Sequence, residues 1–132
     1  MKQHVKPEEI APFLNRFYNF CDTVIESIQL AFSDNATREL KIILKTRDAE
    51  CIKNEGWTRA VLCLNDVSEL KLIDHRKQAS LQVISHGIYV LDLNENLGLE
   101  FGGGITEPES LEELRSSHAY AIGGTMAFET LE

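Results

Sequence analysis

Gly102, Gly103 and Gly104 stand in a row before the glutamate-rich segment ESLEEL at 109–114. A glycine run ahead of a helix is one way for a chain to cradle a phosphate. A P-loop also needs a lysine and a hydroxyl residue directly after its glycines, where this chain has Ile105, Thr106 and Glu107. A dinucleotide fingerprint needs the helix to follow at once, inside a parallel βαβ unit. Here the helical segment starts several residues late, and Glu109, Glu112 and Glu113 would repel a phosphate from its first turn. The run therefore reads as conformational, with glycine admitting positive φ where the chain leaves a sheet edge. Gly123-Gly124, inside the apolar stretch HAYAIGGTMAFETL, reads as a bulge or a close backbone approach.

Histidines and cysteines do not assemble into a metal motif in the sequence. His75/His86 and Cys51/Cys63 lack the short spacings of zinc sites, so no metal and no cofactor is expected. Cys63 falls in an apolar strand and Cys21 ends an apolar helical stripe, which makes both packing residues. Cys51, in a polar stretch, is the thiol expected to be exposed. Carboxylate pairs such as Asp22/Glu26 and Asp66/Glu69 lack the cleft context that separates an acid from a base, and Asp22 suits a cap at a helix-to-strand junction. The chain reads as a non-enzyme. Its single tryptophan, Trp57, is expected to pack in the core, and Tyr18 to face outward.

Charge is the stronger signal. Residues 1–91 carry 12 acidic and 12 basic side chains, whereas 92–132 carry nine acids and one base, Arg115, so the whole net charge of −8 comes from the last third. Such a field disfavours nucleic acid and anionic lipid and attracts basic proteins. The candidate partner-binding residues are Asp92, Glu95, Glu107, Glu109, Glu112 and Glu113.

The elements that must position them follow from periodicity. In PEEIAPFLNRFYNF (7–20), Ile10, Phe13, Leu14, Phe17 and Cys21 repeat at helical steps, with Pro12 kinking the segment. The period then becomes two. Val24, Ile28, Leu30 and Phe32 share one parity, interrupted by Glu26; "SDNAT" (33–37) turns the chain; Leu40, Ile42 and Leu44 alternate with charged residues. Further strands are predicted at WTRAVLCLND, at Val67–Leu72, from Leu81 and Val83, at IYVLDL and LGLEFG, and over the final HAYAIGGTMAFETL. Loops are predicted at RDAECIKNEG and DHRKQ, and a short helix at 109–114. No crossover helices intervene, so the fold class is α+β: a mainly antiparallel sheet of about seven strands, with an N-terminal helix and a short helix in the C-terminal region. Residues 1–132 form a single domain. The last strand has few charges to guard an edge, and offers pairing with a second copy.

No apolar run is long enough to span a bilayer, the N-terminus lacks a secretory h-region, and an odd number of cysteines suits a reducing compartment. A cytoplasmic location is expected.

The order of pieces also resembles a family. An aromatic helix runs into FCDTVIESIQL, followed by a second strand, a strand opening at Trp57, DVSEL, ISHGIYV and LEFG. This pattern, over roughly 13–103, is similar to small bacterial α+β proteins that serve as immunity proteins in toxin–immunity systems. The family pattern has a histidine where this chain has Cys21. The resemblance implies a single-domain cytosolic inhibitor that binds one cognate toxin tightly and does no chemistry; the acidic last third of the chain suits a basic toxin, such as a nuclease, as that partner. The alternative is a non-catalytic structural or small-ligand-binding β-rich module.

Overall fold

The computed structural model describes residues 2–73, 83–102 and 106–131. Its frame is a long hairpin, β2 (Thr23–Phe32) and β3 (Arg38–Arg47), closed by the Ser33–Thr37 turn. Leu40, Ile42 and Leu44 are fully buried, as their alternation with charged residues requires. The interruption at Glu26 is a β-bulge. Ile25 pairs with Leu44, Glu26 is skipped, and Ile28 pairs with Ile42. The bulge swaps the parity of the strand, so Val24 lies opposite Lys45 on the outer face instead of sharing the inner face with Ile28.

β4 (Trp57–Asn65) pairs with β3 and sits centrally, as expected. β10 (Thr125–Leu131) pairs with its other side, and β1 (Gln3–Val5) with the far side of β10. β6 (Val83–Ile84) joins β2 at Thr23 and Val24. These six strands, in the order β1-β10-β4-β3-β2-β6, form the first sheet. The second sheet has the order β5-β9-β8-β7, from β5 (Glu69–Leu72), β7 (Tyr89–Asp92), β8 (Leu97–Glu100) and β9 (Ala119–Gly123). All pairings are antiparallel. The described residues thus hold ten strands in two sheets, where about seven in one were expected.

The difference arises at Gly123-Gly124. HAYAIGGTMAFETL is two strands, β9 in one sheet and β10 in the other, with β4 and β5 making the same passage beside them. At the corner the Gly124 N–H donates to the Asn65 carbonyl at 2.8 Å. A Cβ on Gly123 would stand 2.7 Å from that carbonyl oxygen and from Leu64 Cγ, so only glycine lets the ribbons approach this closely. β10 is consequently interior: β1 covers Met126–Phe128 on the side expected to be free.

The N-terminal segment is a 3₁₀ turn (Pro7–Glu9) followed by α1 (Ile10–Arg16). Pro12 sits in the first turn of α1, where its missing N–H removes no intrahelical bond. The helix stops before the predicted Phe20, because Tyr18, Asn19 and Phe20 all take φ between 54° and 58°. This left-handed turn costs roughly 1–2 kcal/mol per residue. It lets Phe17 and Phe20 stack with ring centroids 5.0 Å apart, both fully buried with Phe13 and Phe128. Asp22 also has positive φ, so the junction turns through its backbone. Tyr18 faces outward as expected. The main core lies between the sheets and includes Leu62, Leu99, Phe101 and Met126.

Predicted loop DHRKQ, His75, Leu81, Gly103 and Gly104 lie outside the described residues.

Candidate functional site

The acidic residues lie on and beside the second sheet. α2 (Leu111–Arg115) is capped by Ser110, whose hydroxyl accepts the Glu113 N–H at 3.1 Å, while Glu113 Oε1 accepts the Glu109 N–H at 3.3 Å. The S-x-x-E spacing of Ser110 and Glu113 is a helix-start signal written in the sequence, although the Glu113 carboxylate reaches back to the N–H one residue before the cap and not to that of Ser110 itself. The helix begins two residues later than predicted, because Glu109 and Ser110 supply the cap. Leu114 is fully buried and packs with Tyr120, Ile122, Leu91, Leu93 and Leu111 in a second apolar cluster. Arg115 fixes the other end through a two-pronged ion pair to Glu69, with Nε and Nη2 each 2.9 Å from a carboxylate oxygen. The Tyr120 hydroxyl donates to the same carboxylate. Arg115 and Tyr120 together pull the Glu69 pKa down to about 2.

The one base of the last third of the chain is therefore engaged within the molecule, paired with Glu69 at its surface. Glu95, Glu107, Glu109 and Glu112 are exposed, and none has an ion-pair partner among the described residues. Asp92 and Glu113 are also exposed, but their carboxylates are used locally: Asp92 Oδ1 accepts the Asn94 N–H at 2.9 Å in the β7–β8 turn. Gly98 lets α2 pack closely on the second sheet beside the β7–β8 turn. A Cβ there would meet Leu114 on α2 and Leu93 at the β7–β8 turn. Glu95 instead lines a separate groove with His4, Lys6 and Thr125.

Glu100 is the acid whose role sequence reasoning missed. It is 3% exposed beneath the chain leading to α2, and its Oε2 accepts the Gly102 N–H at 2.7 Å and the Ser117 hydroxyl. Gly102 thus gives its N–H to a carboxylate of its own chain. It does not adopt positive φ; a Cβ would crowd Ser117 Oγ at 2.8 Å and Ala119 N at 2.9 Å, so close packing is what it provides.

A further concavity lies at the opposite end of the first sheet. It is an open groove of about 1060 Å³ where α1, the loop after β3 and the starts and ends of β2, β4 and β10 converge. Arg16 lines it and grips Asp48, Nε to Oδ1 at 2.9 Å and Nη2 to Oδ2 at 3.0 Å, with Glu50 3.5 Å away. Burial alone would push the Asp48 pKa up, but the bonds from Arg16 and from the Glu50 N–H bring it below the usual carboxylate value. The Arg16 guanidinium also lies 4.9 Å from the Phe17 ring centre and 5.3 Å from that of Phe128.

Trp57 is half-buried in this groove and lies outside the core in which it was expected. It opens β4 on the outer face, two residues from Arg59, so both side chains project the same way. Cys51, expected in the open, is half-buried here; its Sγ contacts the Lys53 carbonyl at 3.3 Å. Cys63 is 2% exposed and its thiol pKa is raised by burial, but its register places it on the outer face beside Ala127 and Lys41.

Among the described residues no three of His, Cys, Asp and Glu are grouped to hold a metal ion, and no helix is long and apolar enough to cross a membrane. Compared with family models, curated proteins and solved structures, the chain matches none.

Proposed function

We propose that the protein is an immunity-type binding protein that neutralises a cognate basic toxin, of the nuclease class, by presenting an acidic surface and doing no chemistry itself. The observation that carries this reading is the fixed acidic segment at α2. Glu107, Glu109 and Glu112 are exposed and have no ion-pair partner among the described residues, on a segment held by its own cap, by Leu114 and by the Arg115–Glu69 clasp. A pre-ordered carboxylate array can take the place of phosphates on a basic partner and would lose little conformational freedom on binding. The resemblance of FCDTVIESIQL, ISHGIYV and LEFG to immunity proteins points the same way. Such an inhibitor acts in the cytoplasm of the cell that makes it.

The test is stopped-flow association with the basic toxin domain encoded in the adjacent reading frame. The association rate is expected to fall by about tenfold or more from low to high salt. The triple variant E107Q/E109Q/E112Q should associate more slowly and lose protection against the toxin. Equal rates at both salt concentrations, or full protection by the triple variant, would overturn the reading.

A further inference from the structure

The groove at the other end of the molecule is lined by four cations, Arg16, Lys45, Lys53 and Arg59, against Asp48 and Glu50, and both of those carboxylates pair with Arg16. Lys45 on β3 lies directly opposite Arg59 on β4, with Val24 and Leu131 completing the same cross-strand row. Like charges facing one another across an antiparallel pair destabilise it. Arg59 is relieved by Glu26, Nε to Oε1 at 2.7 Å, the carboxylate that the β2 bulge turns toward it. Lys45 has no ion-pair partner among the described residues, and neither has Lys53, which enters the same groove from the loop after β3.

That loop is built rather than slack. The Asp48 N–H donates to the Gly56 carbonyl at 2.8 Å, the Gly56 N–H to the Lys53 carbonyl at 2.9 Å, and the Cys51 N–H to the Asp48 carbonyl at 3.0 Å. Asn54, Glu55 and Gly56 all hold positive φ. Two non-glycine residues in that region cost of order 1–3 kcal/mol each, a strain that a fold retains when the placement it produces is over-determined by its surroundings. What it places is Lys53 and the indole of Trp57 on the walls of a groove floored by Lys45 and Arg59.

We propose that this groove binds a small anion bearing a planar ring, with Lys45 and Lys53 taking the negative charge and the Trp57 indole stacking on the ring. Arg59 adds a further cation at the floor. The site is independent of the acidic segment at α2 and does not rest on the toxin reading. Free ammonium groups attract the charge, but water competes for it; the half-buried indole supplies the apolar surface that makes a ring-bearing anion preferable to a bare one.

Trp57 is the only tryptophan, so its fluorescence reports on this site alone. The probes are adenosine 5′-monophosphate, adenosine and inorganic phosphate, titrated separately. Saturable quenching by the nucleotide is expected, with a dissociation constant about tenfold or more below those of adenosine and of phosphate. K53Q and K45Q/K53Q should each weaken nucleotide binding, the double variant by about tenfold, while E109Q/E112Q binds it as the parent does. Both lysines are exposed, so the variants should fold, which circular dichroism checks directly. No saturation up to about 10 mM nucleotide, equal binding of adenosine, or parental affinity in K53Q would each overturn the assignment of the charge. Phosphate binding as tightly as the nucleotide would overturn the role of the indole.

Discussion

Arg16 and Asp48 meet through two parallel hydrogen bonds, 2.9 and 3.0 Å long, that tie the end of α1 to the loop leaving β3. The Asp48 side chain is almost wholly buried, and the Arg16 carbonyl also accepts the Ala49 N–H at 2.9 Å. Removing one member strands the other charge in a poorly solvated place. Asp48→Ala is therefore expected to lower stability by about 3 kcal/mol. Arg16→Lys, which keeps the charge but loses the fork, should cost less. Urea unfolding of both variants checks the order; equal losses would show that charge alone matters here.

The Glu69–Arg115 clasp predicts an acid-sensitive window. The Glu69 pKa falls from 4.5 in the unfolded chain to about 2 in the folded one. The unfolded state then binds the proton more readily, so the clasp contributes its full stability above pH 4.5 and loses it as pH falls toward 2. E69Q should be less stable than the parent at neutral pH, and the gap between them should close across that window. Thermal melts at stepped pH measure it, and a gap that stays constant from neutral pH to 2 contradicts the clasp.

Two glycines rank the tolerance of the fold. A Cβ at Gly123 meets a backbone carbonyl, whereas at Gly98 its closest neighbour is the tip of the Leu114 side chain, which can rotate away. Gly123→Ala should cost about 2–3 kcal/mol and Gly98→Ala distinctly less, read as denaturation midpoints. The reverse order would mean that the corner between the sheets can yield.

Relief of the Lys45–Arg59 opposition has a signature without any ligand. Lys45→Gln removes a repulsion across the β3–β4 pair and should raise stability by about 0.3 kcal/mol, with the gain shrinking at high salt. A loss of stability would show that Lys45 makes a favourable contact in the folded state.

Thiol accessibility separates the cysteines. Cys63 is 2% exposed with its pKa raised by burial, while Cys21 and Cys51 are half-buried. A disulfide-exchange reagent should modify Cys63 only on unfolding, whereas Cys51 and Cys21 react in the native protein. Peptide mapping after brief labelling distinguishes them.

Much of this architecture is legible residue by residue, and its gaps have physical reasons. The alternation Leu40-Ile42-Leu44 and the SDNAT turn specify a half-buried hairpin, because strand period and turn chemistry are local properties. Glu26 marks where the period breaks, but whether a break is a surface position or a bulge depends on the partner strand. HAYAIGGTMAFETL reads as one strand because nothing local distinguishes a kink within a sheet from a passage between two; the Asn65 carbonyl, nearly sixty residues earlier in the chain, decides it. The groove was not foreseen for the same reason. Lys45 and Arg59 each look like the solvated face of a strand, and their opposition exists only once the β3–β4 register is set. The acidic bias of 92–132 was plain, but the withdrawal of Arg115 onto Glu69 and the burial of Glu100 were not.

The double strand that turns from one sheet into the other, β4 into β5 alongside β9 into β10, makes the molecule behave like a hinge with its pin welded. Neither half can peel off while the other stays intact, because the same two stretches of backbone are ladder members in both. Heating or denaturant should therefore melt the groove end and the acidic end together, in a single step.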